Sequence, residues 1–143
     1  MKINTVRFGE IEVENERIFK FALPIIGFNE LRDFVILDLN KDSFFKCLQS
    51  VEDPALAFPI VSVFSMNVDY SIDLPDNVVE TLKIKNVESL LVMNIASIPQ
   101  DDPHGTTINL LAPIIFNLEE LLAGQVILSV SGYDISFQLF KKN

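Results

Sequence analysis

The single histidine, His104, stands in Asp101-Asp102-Pro103-His104-Gly105, where the chain comes nearest to a set of metal ligands. Two carboxylates and an imidazole can hold a divalent ion. The same residues also make a polar turn, since Asp, Pro and Gly each favour turns for separate physical reasons. Zinc sites draw on several Cys or His side chains, and this chain has one of each. The turn is the expected reading. Cys47 lies in Phe44-Phe45-Lys46-Cys47-Leu48. A nucleophilic thiolate there would need a base such as His104 beside it, whereas an unpaired cysteine in an apolar run packs as a small hydrophobe. No G-x-S-x-G elbow, P-loop or G-x-G-x-x-G stretch occurs. The 20 acidic residues offer no spacing that selects an acid–base pair. These residues predict a protein that is not an enzyme and holds no cofactor or metal.

Composition narrows the class further. A chain of 143 residues, 49% hydrophobic and 22% charged, can bury its own core, and we expect residues 1–143 to form one domain. No apolar run approaches the roughly 18 residues a spanning helix needs. The first residues lack the apolar core of a secretory signal. One cysteine and no export signal point to a reducing cytoplasm. The formal charge of −9 repels phosphate backbones and anionic lipid headgroups, so neither nucleic acid nor membrane is an expected partner. No Lys or Arg occurs between Lys85 and Lys141, while Glu88, Asp101, Asp102, Glu119, Glu120 and Asp134 all do. Such a stretch is either a sparsely charged solvated surface or an acidic face that steers a basic partner.

The elements that must carry these residues read mostly as strands. Twelve Phe, with many Ile and Val, suit a pleated surface. Alternation over residues 3–13, with Gly9 and Glu10 at its turn, predicts a hairpin. Further strands are expected over 18–21, 34–39, 44–49, 56–64, 89–98, 106–111, 114–117, 125–130 and 133–140. Asn40-Lys41-Asp42, Glu52-Asp53-Pro54 and Ser131-Gly132 have turn chemistry. Pro59 marks a strand start, an edge or a bulge. Residues 110–116 read mainly as core, with Pro113 at a strand junction; the alternative is an exposed apolar patch. Residues 119–124 read as a loop or one helical turn closed by Gly124. The helix candidate is 73–82, with Asp73 or Asp76 as cap, Pro75 in its first turn, and Val78, Val79 and Leu82 at helical spacing. About nine or ten short strands and one short helix predict an all-β, mostly antiparallel fold, closed or nearly closed into a barrel.

Several segments, in order, resemble the FliW family of flagellar assembly factors. Leu48-Gln49-Ser50-Val51-Glu52-Asp53-Pro54-Ala55-Leu56-Ala57-Phe58 is similar to the family's L-Q-S-x-x-D-P-x-L-x-F segment. Thr107-Ile108-Asn109-Leu110-Leu111-Ala112-Pro113-Ile114-Ile115-Phe116-Asn117 is similar to its T-x-N-L-x-A-P-I-x-x-N run. Gln125-Val126-Ile127-Leu128 and Ile26-Gly27-Phe28-Asn29-Glu30-Leu31 resemble its Q-V-I-L strand and G-F-x-x-L turn. There are departures. Ala22-Leu23-Pro24-Ile25 differs from the family's early turn, and residues 133–139 lack the Arg-His-Pro element common there.

The resemblance implies a cytoplasmic protein that binds flagellin. When free of flagellin it binds CsrA, a small RNA-binding translational repressor, away from the RNA surface, and antagonises it allosterically. Flagellin synthesis is thereby coupled to export. The alternatives are a diverged β-barrel binding module with a different protein partner, and a small enzyme using His104 and nearby acids. The candidate partner-contact residues are Asp53, in the matched D-P turn, with Asp101, Asp102, Glu119 and Glu120 from the acidic stretch. Asp53 has a competing role, bonding its own backbone as an Asx-turn, and Asn109 and Asn117 can likewise satisfy strand-end backbone groups.

Overall fold

The computed structural model describes residues 1–39, 44–66, 68–128 and 132–140. Eleven strands run in chain order: β1 Lys2–Thr5, β2 Gly9–Glu12, β3 Ile18–Leu23, β4 Asp33–Asp38, β5 Lys46–Ser50, β6 Ala57–Val61, β7 Leu90–Ser97, β8 Thr107–Ile108, β9 Ile114–Asn117, β10 Leu122–Gln125 and β11 Phe137–Gln138. One α-helix, α1 Asp76–Thr81, and several 3-10 turns complete the described elements.

Strands β3 to β7 form an antiparallel meander. Strand β9 returns to pair with β7, and β10 folds back from β9 to lie parallel to β3. These pairings close a seven-strand barrel, β7-β6-β5-β4-β3-β10-β9, back to β7. The β3–β10 pair is parallel, which the meander pattern alone does not predict. Strands β8 and β11 extend the sheet beyond β7, and β1–β2 form a separate hairpin.

Alternation sorts the side chains into an inside and an outside. Phe19, Phe21, Phe34, Leu48, Ile60, Met93, Ile114, Phe116 and Ala123, drawn from all seven barrel strands, pack as one cluster in the interior. Its aromatic rings meet edge to face, with Phe19–Phe116 at 4.9 Å and Phe21–Phe34 at 5.0 Å. The opposite faces are covered as well. Ile3, Val13 and Ile11 of the hairpin pack on Val35 and Leu37 of β4. Val63, Tyr70, Val78 and Leu82 pack with Ile115, Leu90 and Val92 outside β7 and β9.

Several local readings need correction. Gly9 and Glu10 begin β2 and are not the hairpin turn, which falls on residues 6–8. Residues 44 and 45 precede β5. Of the 125–130 strand, residues 129 and 130 lie outside the described residues, and of the rest only Gln125 belongs to β10, because the 118–121 turn starts the return strand earlier. The 106–111 and 133–140 strands shrink to the two-residue pair β8–β11. Helix α1 begins after Pro75 with no side-chain cap, so neither Asp73 nor Asp76 plays that role. Its end is a Schellman closure, with Lys83 at φ 53° and its N–H on Glu80, and the Ile84 N–H on Val79. Pro59 sits opposite Cys47 in β6, where pairing with β7 has not yet begun, so no ladder donor is lost on that side. Leu110, Ala112, Ile114, Ile115 and Phe116 are core, and Pro113 is buried at the start of β9. The turn at Asn40-Lys41-Asp42 lies outside the described residues, as does Ser131 of the Ser131-Gly132 turn.

Gly124 does not close a turn. It sits within β10 at a register shift against β3, and a Cβ there would meet Leu23 Cβ at 2.7 Å. The two strands approach this closely only because Gly124 has no side chain. Gly124→Ala should therefore lower stability by about 1–3 kcal/mol, the usual range for overpacking, as read from urea unfolding midpoints.

Candidate protein-binding site

The strand registers define two ends of the barrel. One carries Arg17, Asp38, Lys46, Leu90 and the 118–121 turn. The other carries the 24–32 turn, the 51–56 turn and the 98–106 connection. Asp53, Asp101 and Asp102 belong to the second end, Glu119 and Glu120 to the first. The structure therefore does not gather the five candidate acids into one patch.

Their side chains also have different occupations. Asp53 accepts the Ala55 N–H through Oδ1 at 3.0 Å, an Asx-turn, while its carbonyl accepts the Leu56 N–H at 3.1 Å. The rest of the matched segment builds the same turn. Ser50 Oγ accepts the N–H groups of Glu52 and Asp53 at 3.2 and 2.9 Å. Gln49 is fully buried, and its Nε2 lies within 3.0–3.4 Å of the carbonyls of Ser50, Asp53, Pro54 and Leu56. Glu52 accepts the N–H groups of Arg32 and Asp33, tying this turn to the neighbouring one. Gln49 is thus a buried fastener whose amide no hydrophobic residue can replace. Gln49→Leu should cost about 1 kcal/mol by removing the amide's hydrogen bonds to the turn carbonyls, measured by chemical unfolding.

The asparagines of the second matched segment work in the same way. Asn109 Oδ1 accepts the Ala112 N–H at 3.0 Å. Asn117 donates to the carbonyls of Leu82 and Lys83 at 2.8 and 3.1 Å and accepts the Glu119 N–H at 3.1 Å. It thereby joins the end of α1 to the β9–β10 turn.

Glu119 is a clasp. Its carboxylate accepts from Ser89 Oγ and from Asn86 Nδ2, fastening the 3-10 turn Val87–Ser89 to the β9–β10 turn. These hydrogen bonds hold its pKa below the ordinary 4.5. A depressed carboxylate contributes fully above its ordinary value and loses the contribution as pH falls through the lowered one. The clasp is therefore intact at neutral pH and releases only in acid. A carboxyl NMR titration should place the Glu119 midpoint below 4.5, and Ser89→Ala should raise it. Asp38 is lowered similarly, by its hydrogen bond and ion pair with Lys46 at 2.5 Å. Asp101, Asp102 and Glu120 are exposed, and among the described residues no ion pair engages them.

The residues considered for catalysis separate. His104 is exposed and packs edge-on against Phe140 at 5.1 Å. Cys47 is 2% exposed, and burial pushes its thiol pKa up, the reverse of an activated nucleophile. Among the described residues no group of three or more His, Cys, Asp or Glu is placed to hold a metal. No helix among them is long and apolar enough to cross a membrane. What the surface does offer is uncovered apolar side chains. Phe64, Val87 and Leu118 are 51, 82 and 47% exposed, all at the first end. The residue pattern does not single them out: Phe64 follows Val63 in an apolar run, while Val87 and Leu118 are lone apolar residues between polar neighbours.

Fold and surface together define a class: a closed seven-strand barrel whose recognisable polar motifs fasten its own turns. The profile of the family described as "FliW protein" matches residues 2–139. A flagellar assembly factor FliW of Bacillus subtilis (strain 168) is 41% identical over 133 residues, covering 93% of this chain and 92% of the relative. One of Clostridium novyi (strain NT) is 37% identical over 142 residues, covering 99% of each chain. A crystal structure of the flagellar assembly factor FliW superposes with a TM-score of 0.92 at 38% identity, again over 99% of each chain. The chain belongs to the FliW family.

Proposed function

We propose that this protein is a cytoplasmic flagellar assembly factor working as a one-domain binding module. It binds flagellin and, when flagellin is exported, binds CsrA and antagonises it allosterically, so that flagellin synthesis follows export. The observation that carries this reading is the full-length match, in sequence and in fold, to flagellar assembly factors. The physical chemistry supports it. A protein that holds RNA presents basic surface, and a chain with formal charge −9 is suited to such a partner. Among the described residues no ion pair engages Asp101, Asp102 or Glu120, which leaves them able to meet that charge. Asp53 and Glu119 reach a partner only while serving their own turns.

Isothermal titration against flagellin and against CsrA from the same organism tests the proposal. Saturable binding to each is expected, with CsrA affinity falling between low and moderate salt as its steering charge is screened. Silence with both folded partners rejects the switch.

A further inference from the structure

Left-handed backbone is rare outside glycine, because a Cβ there crowds the following carbonyl. Among the described residues it occurs at two non-glycine positions, Lys83 at φ 53° and Leu121 at φ 54°. They are far apart in the chain. Lys83 closes the end of α1, and Leu121 is the last residue of the turn between β9 and β10. One side chain joins the two places.

That side chain is Asn117, which is 2% exposed. Its Nδ2 donates to the Leu82 and Lys83 carbonyls, and its Oδ1 accepts the N–H groups of Glu119 and Glu120 at 3.1 and 3.4 Å. Both atoms belong to one planar amide. A rotation that takes Oδ1 off the turn therefore takes Nδ2 off the helix end as well. If one turn leaves alone, the amide stays buried and loses half its partners, which is the least favourable way to break a hydrogen bond.

Left-handed residues of this kind persist only where their surroundings fix them. At Lys83 the hold is all backbone: its N–H on Glu80, the Ile84 N–H on Val79, and the Asn117 amide on its carbonyl. The Lys83 side chain is exposed, and among the described residues no ion pair engages it. At Leu121 the side chain helps, since it packs against the barrel interior, and its carbonyl accepts the Lys20 N–H at 2.9 Å. A second tie runs beside Asn117. The Leu118 N–H donates to the Ser89 carbonyl, and Glu119 accepts from Asn86 and Ser89. It reaches the segment after α1 and not the helix end itself.

We propose that the end of α1 and the 118–121 turn are one conformational unit, opened and closed together by the Asn117 amide and biased toward opening by the left-handed backbone at Lys83 and Leu121. In a protein that acts by binding others, contact at either turn is thereby felt at the other.

Native-state hydrogen exchange on the free full chain tests this, comparing wild type with Lys83→Gly and Lys83→Val. Both variants remove the same exposed charge, so the difference between them reads the backbone. Glycine accepts the left-handed conformation and a β-branched residue resists it. Lys83→Gly should slow exchange at the Leu118, Glu119 and Glu120 amides by about threefold or more, and Lys83→Val should speed it by a similar factor. The Val51 and Leu56 amides, at the opposite end of the barrel, should keep their wild-type rates. Asn117→Ala should abolish the response of residues 118–120 to residue 83. If that variant does not fold, Asn117→Asp, which keeps the acceptor and loses both donors, takes its place. Rates at 118–120 that ignore residue 83 make the turns independent and overturn the unit. Equal changes at Val51 and Leu56 reduce the effect to global stability and overturn it too. A response that survives loss of the Asn117 amide runs through the Glu119 clasp and removes Asn117 from the role. The measurement needs no partner, so its failure leaves the binding reading untouched.

Discussion

Four backbone pairs turn a meander into a barrel: Leu90 with Asn117, Leu91 with Phe116, Val92 with Ile115 and Met93 with Ile114. With β9 seated against β7, alternate residues of β9 face opposite sides. Ile114 and Phe116 point into the barrel, while Ile115 joins the layer formed by Val78 and Leu82 outside it. A one-residue slip would exchange those two sets. It would also move Asn117 away from the end of α1 and Leu118 away from Ser89. Interior, outer layer and exposed end thus share one register.

The polar residues divide between fastening and facing outward. Gln49, Ser50, Glu52, Asp53, Asn109 and Asn117 all bond backbone groups at strand ends. A closed barrel concentrates its unpaired N–H and C=O groups at its rims, and short side-chain amides and carboxylates are the economical way to satisfy them. The motifs that make the family recognisable are in this sense rules for building the barrel's ends. The surface that a partner meets is then whatever those ends hold outward. At one end that surface includes Val87 and Leu118, whose turns the Glu119 clasp joins.

Chemistry tried on the sequence alone fails for the same reason. His104, Asp101 and Asp102 lie on a connection beyond β7, and His104 packs on Phe140 near the last strand pair. Cys47 is sealed on the outer face of β5, where loss of hydration disfavours the thiolate. Proximity in sequence placed the acids of the 88–134 stretch on one notional face. The closed topology sends residues 98–106 and 118–121 to opposite ends.

The sequence by itself determined the all-β class, the approximate places of most strands, the turn at Glu52-Asp53-Pro54 and the family. Each of these rests on local chemistry: alternation, β-branched and aromatic side chains, and residues with intrinsic turn preferences. Tertiary structure alone decided the β7–β9 closure, the parallel β3–β10 pair, the role of Gly124 as a point of close approach, and the separation of Asp53 from Glu119. These depend on which strands meet across long stretches of chain. The exposure of Val87 and Leu118 was equally hidden. A lone apolar residue between polar neighbours looks the same whether it meets a second strand or water, and only the completed barrel determines which.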